Sequence, residues 1–356
     1  MKVTIKQIAD IAGVSRGTVD RALHGRDGIN PQVREHILTV AGDLGYRPNI
    51  AGRQLSAKKN SLKFGFILPK RTNYGFWGDV HRGIDLISEE LADYGVTVIR
   101  RVYQKYTAAE QLPLIDELMA ENISGLAIVP ANESALQKRL SALVSSGFPV
   151  VIVNSESEGV EPLCYIGSDY KFSGRTAAGV LHLAAGNQPI ELLIFTGTET
   201  MLSHTWRITG FLQELTRIHP QCHLINIYKL FGKTDTPNSH STYLIASEML
   251  KKHPETTAVF TAAGAIESVA RAIKDSGMID QITHISFDMN TLTLPLLEDG
   301  TVTAIIGQES VRQGYQPIKV LFDYLVNGIS PPAQRIILRN EIYIRQNATL
   351  GGIPFS

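Results

Sequence analysis

Thr4-Ile5-Lys6-Gln7-Ile8-Ala9-Asp10-Ile11-Ala12-Gly13-Val14-Ser15-Arg16-Gly17-Thr18-Val19-Asp20-Arg21-Ala22-Leu23 decides how the amino-terminal end of the chain folds. Thr4 is suited to cap a helix, and Ile5, Ile8, Ala9 and Ala12 then recur at helical spacing, so a first short helix is expected to end at Gly13. Val14 follows as an apolar turn residue and Ser15 as a second cap. Val19, Ala22 and Leu23 mark the buried side of a second helix. Two short helices across a tight glycine turn are the helix-turn-helix pattern, whose second helix offers its first residues to the DNA major groove. Here those residues are Arg16, Gly17, Asp20 and Arg21. Arginine suits the task because its planar fork can bond O6 and N7 of guanine together. A third helix follows from Asn30-Pro31, a cap and a first-turn proline, through Val33, Ile37, Val40, Ala41 and Leu44 to Gly45.

The chain around this module has 356 residues, 44% hydrophobic and 19% charged, with a formal net charge of zero. That length suggests two or three domains of ~100–200 residues each. The zero charge hides an asymmetry: residues 1–60 carry ten Lys and Arg against five Asp and Glu, a net of +5, which leaves −5 on the remainder. A basic end on a mildly acidic body fits phosphate binding by that end. No apolar run approaches the ~18 residues of a membrane span. The start, Met1-Lys2-Val3-Thr4-Ile5-Lys6-Gln7, lacks the apolar core of a secretion signal, so a cytoplasmic location is expected. Cys164 and Cys222 are expected to be reduced structural thiols.

The quoted run resembles the headpiece of the lactose-repressor family (LacI/GalR type), and so does Gly45-Tyr46-Arg47-Pro48-Asn49-Ile50-Ala51-Gly52-Arg53-Gln54-Leu55, which is similar to the end of that family's third helix and its hinge helix. The resemblance implies a transcription regulator, in which Arg16, Gly17 and Arg21 read bases. It also implies that Leu55 is wedged into the minor groove, where an apolar side chain can part a base step and kink the duplex. Thr4, Ser15, Thr18, Asp20, Asn30, Asn49 and Arg53 complete the DNA-facing set. Two positions depart from the family: Asp20 stands where Ser is common, and Gly52 where Ala is usual. A glycine there costs a helix ~1 kcal/mol relative to alanine, so the hinge helix is expected to be unstable without DNA.

From residue 62 onward, apolar runs alternate with helix-period segments. Strands are expected at 62–68, 96–102, 125–129, 150–153 and 163–166, then at 192–196, 224–230, 258–261, 283–287 and 303–307. This alternation implies parallel sheets covered by helices on both faces, and so many units imply two doubly wound sheets, divided near residue 167. The expected organisation is a headpiece over 1–47, a hinge and linker over 48–61, and an effector-binding and dimerisation domain of two lobes over 62–356.

Ligands of such sheets bind beyond the carboxyl ends of the strands. The loops there carry aromatics and planar polar groups, suited to the C–H faces and hydroxyls of a sugar-like molecule. The body resembles the type I periplasmic sugar-binding-protein fold of the same family. That resemblance implies effector contacts from Tyr74, Phe76 and Trp77, from Asn154, from Arg207, and from Asp288 and Gln308. Thr261-Ala262-Ala263-Gly264 departs from the family's Asn-Asp pair after the strand, which removes a polar contact and opens the effector class beyond a standard pentose or hexose.

Catalytic signatures are weak. Phe231-Gly232-Lys233-Thr234 ends like a phosphate loop, but position 227 is Ile where Gly is required. His81, His182, His204 and His240 are scattered without metal-ligand spacing. The sequence therefore points to a homodimeric regulator of double-stranded operator DNA that responds to a small molecule and has no cofactor, metal or enzymatic activity. A solute-binding protein and a sugar-converting enzyme are the alternatives.

Arg21→Ala is expected to weaken binding to an operator selected from random-sequence DNA by about 1–3 kcal/mol, with little change on unrelated DNA. Fluorescence anisotropy on both DNAs checks this, and equal losses would remove Arg21 from base reading.

Overall fold

The computed structural model describes residues 3–23, 28–44, 61–70, 75–197, 201–230 and 240–348. Asn49, Arg53, Leu55 and Tyr74, with the expected hinge helix and the Gly45 cap, lie outside the described residues. An amino-terminal unit holds three short helices, and a body begins at Ser61.

In the amino-terminal unit, α1 (Ile5–Ala12) starts in a reciprocal cap: the Gln7 amide donates to Thr4 Oγ1 at 3.3 Å and the Thr4 amide to Gln7 Oε1 at 2.8 Å. Gly13 ends it in the left-handed region, at φ 66°. Helix α2 (Arg16–Leu23) begins on Ser15, whose Oγ accepts the Thr18 amide at 3.1 Å. Helix α3 (Pro31–Asp43) is capped by Asn30, whose Oδ1 accepts the Gln32 amide at 2.9 Å. Ile8, Ala9, Val19, Ala22, Ile37 and Ala41 close a core among the three.

The body opens with β1 (Lys63–Pro69), α4 (Phe76–Ala92), β2 (Thr97–Tyr103), α5 (Ala108–Ala120), β3 (Gly125–Ile128), α6 (Ser134–Ser145), β4 (Val150–Val153) and β5 (Cys164–Gly167). A second series follows: α7 (Tyr170–Ala185), β6 (Ile190–Thr196), α8 (Leu202–Ile218), β7 (Cys222–Lys229), α9 (His240–Lys252), β8 (Ala258–Thr261), α10 (Ile266–Asp275), β9 (Thr283–Phe287), α11 (Leu294–Glu298) and β10 (Ala304–Gly307). The chain ends through α12 (Ser310–Phe322), β11 (Arg335–Ile337), β12 (Glu341–Tyr343) and α13 (Arg345–Ala348).

The two sheets have orders β11-β5-β4-β3-β1-β2 and β12-β10-β9-β8-β6-β7, so one is the topological copy of the other. Strand pairs are parallel except β10 with β12, which is antiparallel and departs from the all-parallel expectation. The division is not one cut near residue 167 either, because β11 returns from 335–337 to pair with β5. The chain thus crosses between the lobes three times: after β5, after β10, and between β11 and β12. Backbone and side-chain bonds stitch the crossings together. The Leu338 amide donates to the Gly167 carbonyl at 2.9 Å, the Arg339 amide to Glu309 at 2.7 Å, and Ser173 Oγ to Asn340 Oδ1 at 3.0 Å. No helix among the described residues is long and apolar enough to cross a membrane.

Helices α7 and α8 touch backbone to backbone. A Cβ on Gly174 would lie 2.0 Å from the Arg207 carbonyl oxygen, and one on Gly210 would lie 2.0 Å from that of Lys171. Only glycine permits this approach, and it fixes where α8 presents Arg207. Gly174→Ala is expected to destabilise the protein by about 1–3 kcal/mol through overpacking. Gly179→Ala on the same helix meets nothing within 4 Å and should not destabilise it. Urea unfolding midpoints check both, and a neutral Gly174→Ala would contradict the packing argument.

Candidate functional site

In the amino-terminal unit, α2 turns Val19 and Ala22 into the core, leaving Arg16, Gly17 and Arg21 exposed and Asp20 half-buried. Burial of one stripe thus decides which side chains the helix offers outward. The hydroxyl oxygens of Ser15 and Thr18 lie 2.8 Å apart, and Thr4 and Asn30 are engaged as caps, so these four have local structural partners.

In the body, α8 brings Arg207 to the carboxyl ends of β8, β9 and β10. Its guanidinium lies 4.0 Å from the Phe287 ring and 4.9 Å from the Tyr170 ring. Nη1 donates to the Ala262 carbonyl at 3.0 Å and Nη2 to Gln308 Oε1, while Nε has no hydrogen-bond partner among the described residues. Gln308 Nε2 in turn donates to Asp288 Oδ1. Three residues expected to share a ligand thus touch one another, and Gln308 joins the cation to the carboxylate. Burial pushes Arg207 down, countered by the Asp288 charge. It pushes Asp288 up, countered by Arg207 and the Gln308 hydrogen bond and reinforced by Asp79.

The first lobe supplies aromatics. Phe76 and Trp77 begin α4 edge to face, with ring centroids 4.9 Å apart. Tyr106, between β2 and α5, is pushed up by burial, pulled back by a hydrogen bond with Trp77, and raised further by the Asp288 charge. Tyr106 of one lobe therefore stands within electrostatic reach of Asp288 of the other. Asp79 accepts from Ser310 Oγ at 3.2 Å and is also raised, first by burial, with Arg82 opposing.

Asn154, expected to contact effector, also has a partner within the protein. It follows β4 at φ 62°, the equivalent of Asp288 after β9 at φ 71°, and its Nδ2 donates to Gln313 Oε1 at 2.8 Å. Asn and Asp are the residues best able to hold such a conformation. Ala262 and Ala263 are buried in the apolar layers on the two sides of the second sheet, and the first contributes its carbonyl to Arg207. Sequence reasoning missed Tyr106, Tyr170 and Gln313. A polar residue on a buried helix face five positions after Gln308 is the signal that marks Gln313. The thiols of Cys164 and Cys222 are pushed up to about 11 by burial, as inert structural groups are.

Residues 64–329 match the family described as periplasmic binding protein domain, and residues 4–49 match that of bacterial regulatory proteins, lacI family. The chain belongs to the periplasmic binding protein domain family and carries at its amino-terminal end a domain of the lacI family of bacterial regulatory proteins. The regulator is 27% identical over 349 residues to the sucrose operon repressor of Klebsiella pneumoniae, covering 94% of this chain and 96% of that protein. It is 23% identical over 362 residues to the HTH-type transcriptional regulator CelR of Thermobifida fusca, covering 97% and 98%. Its body has the fold of an ABC-transporter solute-binding protein from Burkholderia graminis solved with D-arabinose, with a TM-score of 0.72, 20% identity, and coverage of 81% of this chain and 96% of that one. With a lacI-family domain joined to a periplasmic-binding-protein body, this chain is a ligand-responsive transcriptional regulator, with a helix-turn-helix module and a body of two parallel-sheet lobes.

Asp288 carries a pH signature. Its folded pKa stands above its unfolded value, so the stability it contributes is present below the unfolded pKa and lost as pH rises through the folded one. Asp288→Asn, which cannot ionise, should therefore gain on the parent protein as pH rises from about 4 to about 7. Melting temperatures of both proteins across that range check it, and a constant difference would contradict a raised Asp288.

Proposed function

We propose that the regulator is a cytoplasmic homodimer whose two headpieces read a near-palindromic operator, and whose two-lobed body binds an uncharged, polyhydroxylated small molecule that changes DNA affinity. The observation that carries this reading is the contact of Arg207, Gln308 and Asp288 at the strand ends, beside the Phe287 and Tyr170 rings. Ring faces and planar hydrogen-bonding groups are what a sugar or polyol needs, and Arg207 Nε is a further donor. Phe76, Trp77, Asn154, Arg207, Asp288 and Gln308 are the proposed effector contacts, with Tyr74 from the adjoining loop.

Charge favours an uncharged effector. The buried cation Arg207 is matched by Asp288, and Asp79 adds a second carboxylate nearby. A phosphorylated sugar would bring two negative charges toward this pair.

On the DNA side, Arg16 and Arg21 are the proposed base readers, Asp20 sits beside them, and Leu55 is the proposed wedge. Two-fold symmetry of a dimer would match two operator half-sites one helical turn or a multiple apart. The proposed organisation is a headpiece over 1–47, a hinge over 48–61 and the effector and dimer domain over 62–356. An enzymatic role is not proposed: the Thr261 hydroxyl and His284 Nε2 lie 2.8 Å apart, but both side chains are wholly buried within the second sheet.

A melting-temperature panel of sucrose, D-arabinose, D-glucose, D-galactose, myo-inositol and D-glucose 6-phosphate tests the reading. At least one uncharged compound is expected to raise the melting temperature, the phosphate ester is not, and Arg207→Ala and Asp288→Ala should each abolish the rise. A rise retained in both variants would place the effector elsewhere.

A further inference from the structure

Gln313, on α12, has no exposed surface and belongs to no position expected to touch effector. Its Nε2 donates to the Gln308 carbonyl at 2.9 Å, and its Oε1 accepts from Asn154 Nδ2 at 2.8 Å. A backbone carbonyl can only accept, so the Gln313 amide has one allowed orientation: NH2 toward Gln308 and oxygen toward Asn154. That orientation fixes Asn154 in turn, committing one of its N–H groups to Gln313 and leaving its other N–H and its oxygen for other partners. The Asn154 backbone is held as well, since the Tyr165 hydroxyl lies 2.7 Å from its carbonyl and 3.0 Å from that of Ser168, at the first crossing between lobes.

Gln308 is the other end of the relay. It stands at the second crossing, where the next residue, Glu309, adopts φ 48°. Its side chain binds Asp288 and Arg207 in the second lobe, while its carbonyl is held by Gln313 on the helix packed against the first. Helix α12 is locked to α4 of the first lobe by glycines, because a Cβ on Gly83 would lie 1.9 Å from the Val311 oxygen and one on Gly314 would lie 1.9 Å from that of Val80. Movement of Gln308 therefore pulls against a rigid first lobe through the buried Gln313 side-chain amide as well as through the short backbone link from Gln308 to α12.

We propose that Gln313 is a positioning residue that couples the two halves of the effector cleft, orienting Asn154 in the first lobe and anchoring the crossing residue Gln308, whose side chain orders Arg207 and Asp288 in the second. The proposal rests on the effector-cleft reading for its biological meaning, but its physical content is the fixed geometry between lobes. Removing the amide leaves a buried N–H and a buried carbonyl without partners, and the crossing is then free to adopt other geometries.

The test uses the full-length protein without added sugar. Spin labels are placed at exposed Lys138→Cys on α6 and Glu298→Cys on α11, in a Cys222→Ser background, and the distance between them is measured by pulsed electron resonance. The doubly labelled protein is refolded with an excess of unlabelled protein, so that a dimer carries at most one labelled subunit, and the parent is then expected to give one narrow distribution. Gln313→Met, similar in length and apolar, should broaden it or add a second, longer distance, while a label pair within the first lobe, at Asp93→Cys and Lys138→Cys, stays unchanged. Asn154→Asp attacks the same link from its other end, because a carboxylate cannot donate to Gln313 Oε1. It should give the same broadening, and none beyond it when combined with Gln313→Met. If Gln313→Met fails to fold, Asn154→Asp decides. Distributions in the folded variants that superimpose on the parent would overturn the proposal. No sugar enters this measurement, so its failure leaves the effector reading standing, and an empty sugar panel leaves the coupling standing.

Discussion

A guanidinium buried at the end of a sheet is the constraint around which the body is arranged. Arg207 is 4% exposed, and an unpaired charge so placed would cost several kcal/mol. It is retained because the surroundings answer it on every side: aromatic faces from Phe287 and Tyr170, the Ala262 carbonyl, the Gln308 amide oxygen and the Asp288 charge. These groups come from α7 and from the ends of β8, β9 and β10, so those four elements must be in register for the cation to be tolerated. The close glycine packing of α7 on α8 is the mechanical half of the same arrangement, since it decides how far Arg207 reaches.

The duplicated topology gives this constraint its consequence. Asn154 and Asp288 occupy equivalent places after β4 and β9, both in the left-handed region, one in each lobe. Three crossings, bonded to one another, join the lobes, and the residue at the second crossing is itself a partner of Arg207. A small molecule that contacts both lobes therefore has a direct way to favour one lobe arrangement over another. It shifts the equilibrium only by its differential affinity for the two. On the proposed reading, that preference passes to the DNA-binding unit through the segment between them.

Much of this was legible in the sequence because its signals are local. The Thr4 and Asn30 caps, the Gly13 stop and the alternation of apolar runs with helical segments each depend on a few neighbouring residues. They place the headpiece helices, and ten strands with bounds a few residues wide. What escaped is non-local. The strands β11 and β12 are three residues each and leave no period to detect, so the triple crossing was invisible and a single division near residue 167 stood in its place. The partnership of Asn154 with Gln313 spans 159 positions, and no pattern within either segment announces it. Arg207, Asp288 and Gln308 were found as separate loop-end residues, whereas their bonding into one group follows from the packing of α7 on α8, which required coordinates. Tyr106 and Tyr170 lie in no motif of the sequence and come beside Trp77 and Arg207 only through topology.

The measurement that tests the account most directly is operator affinity as a function of effector. DNA selected by the regulator from a random pool is titrated with the protein, with and without a saturating amount of whichever sugar or polyol raises its melting temperature. The account predicts that this compound changes the affinity of the parent protein about fivefold or more, the lower end of ordinary allosteric coupling, and leaves Arg207→Ala unchanged while that variant still binds the operator. An equal response in Arg207→Ala, or no response in the parent, would contradict it.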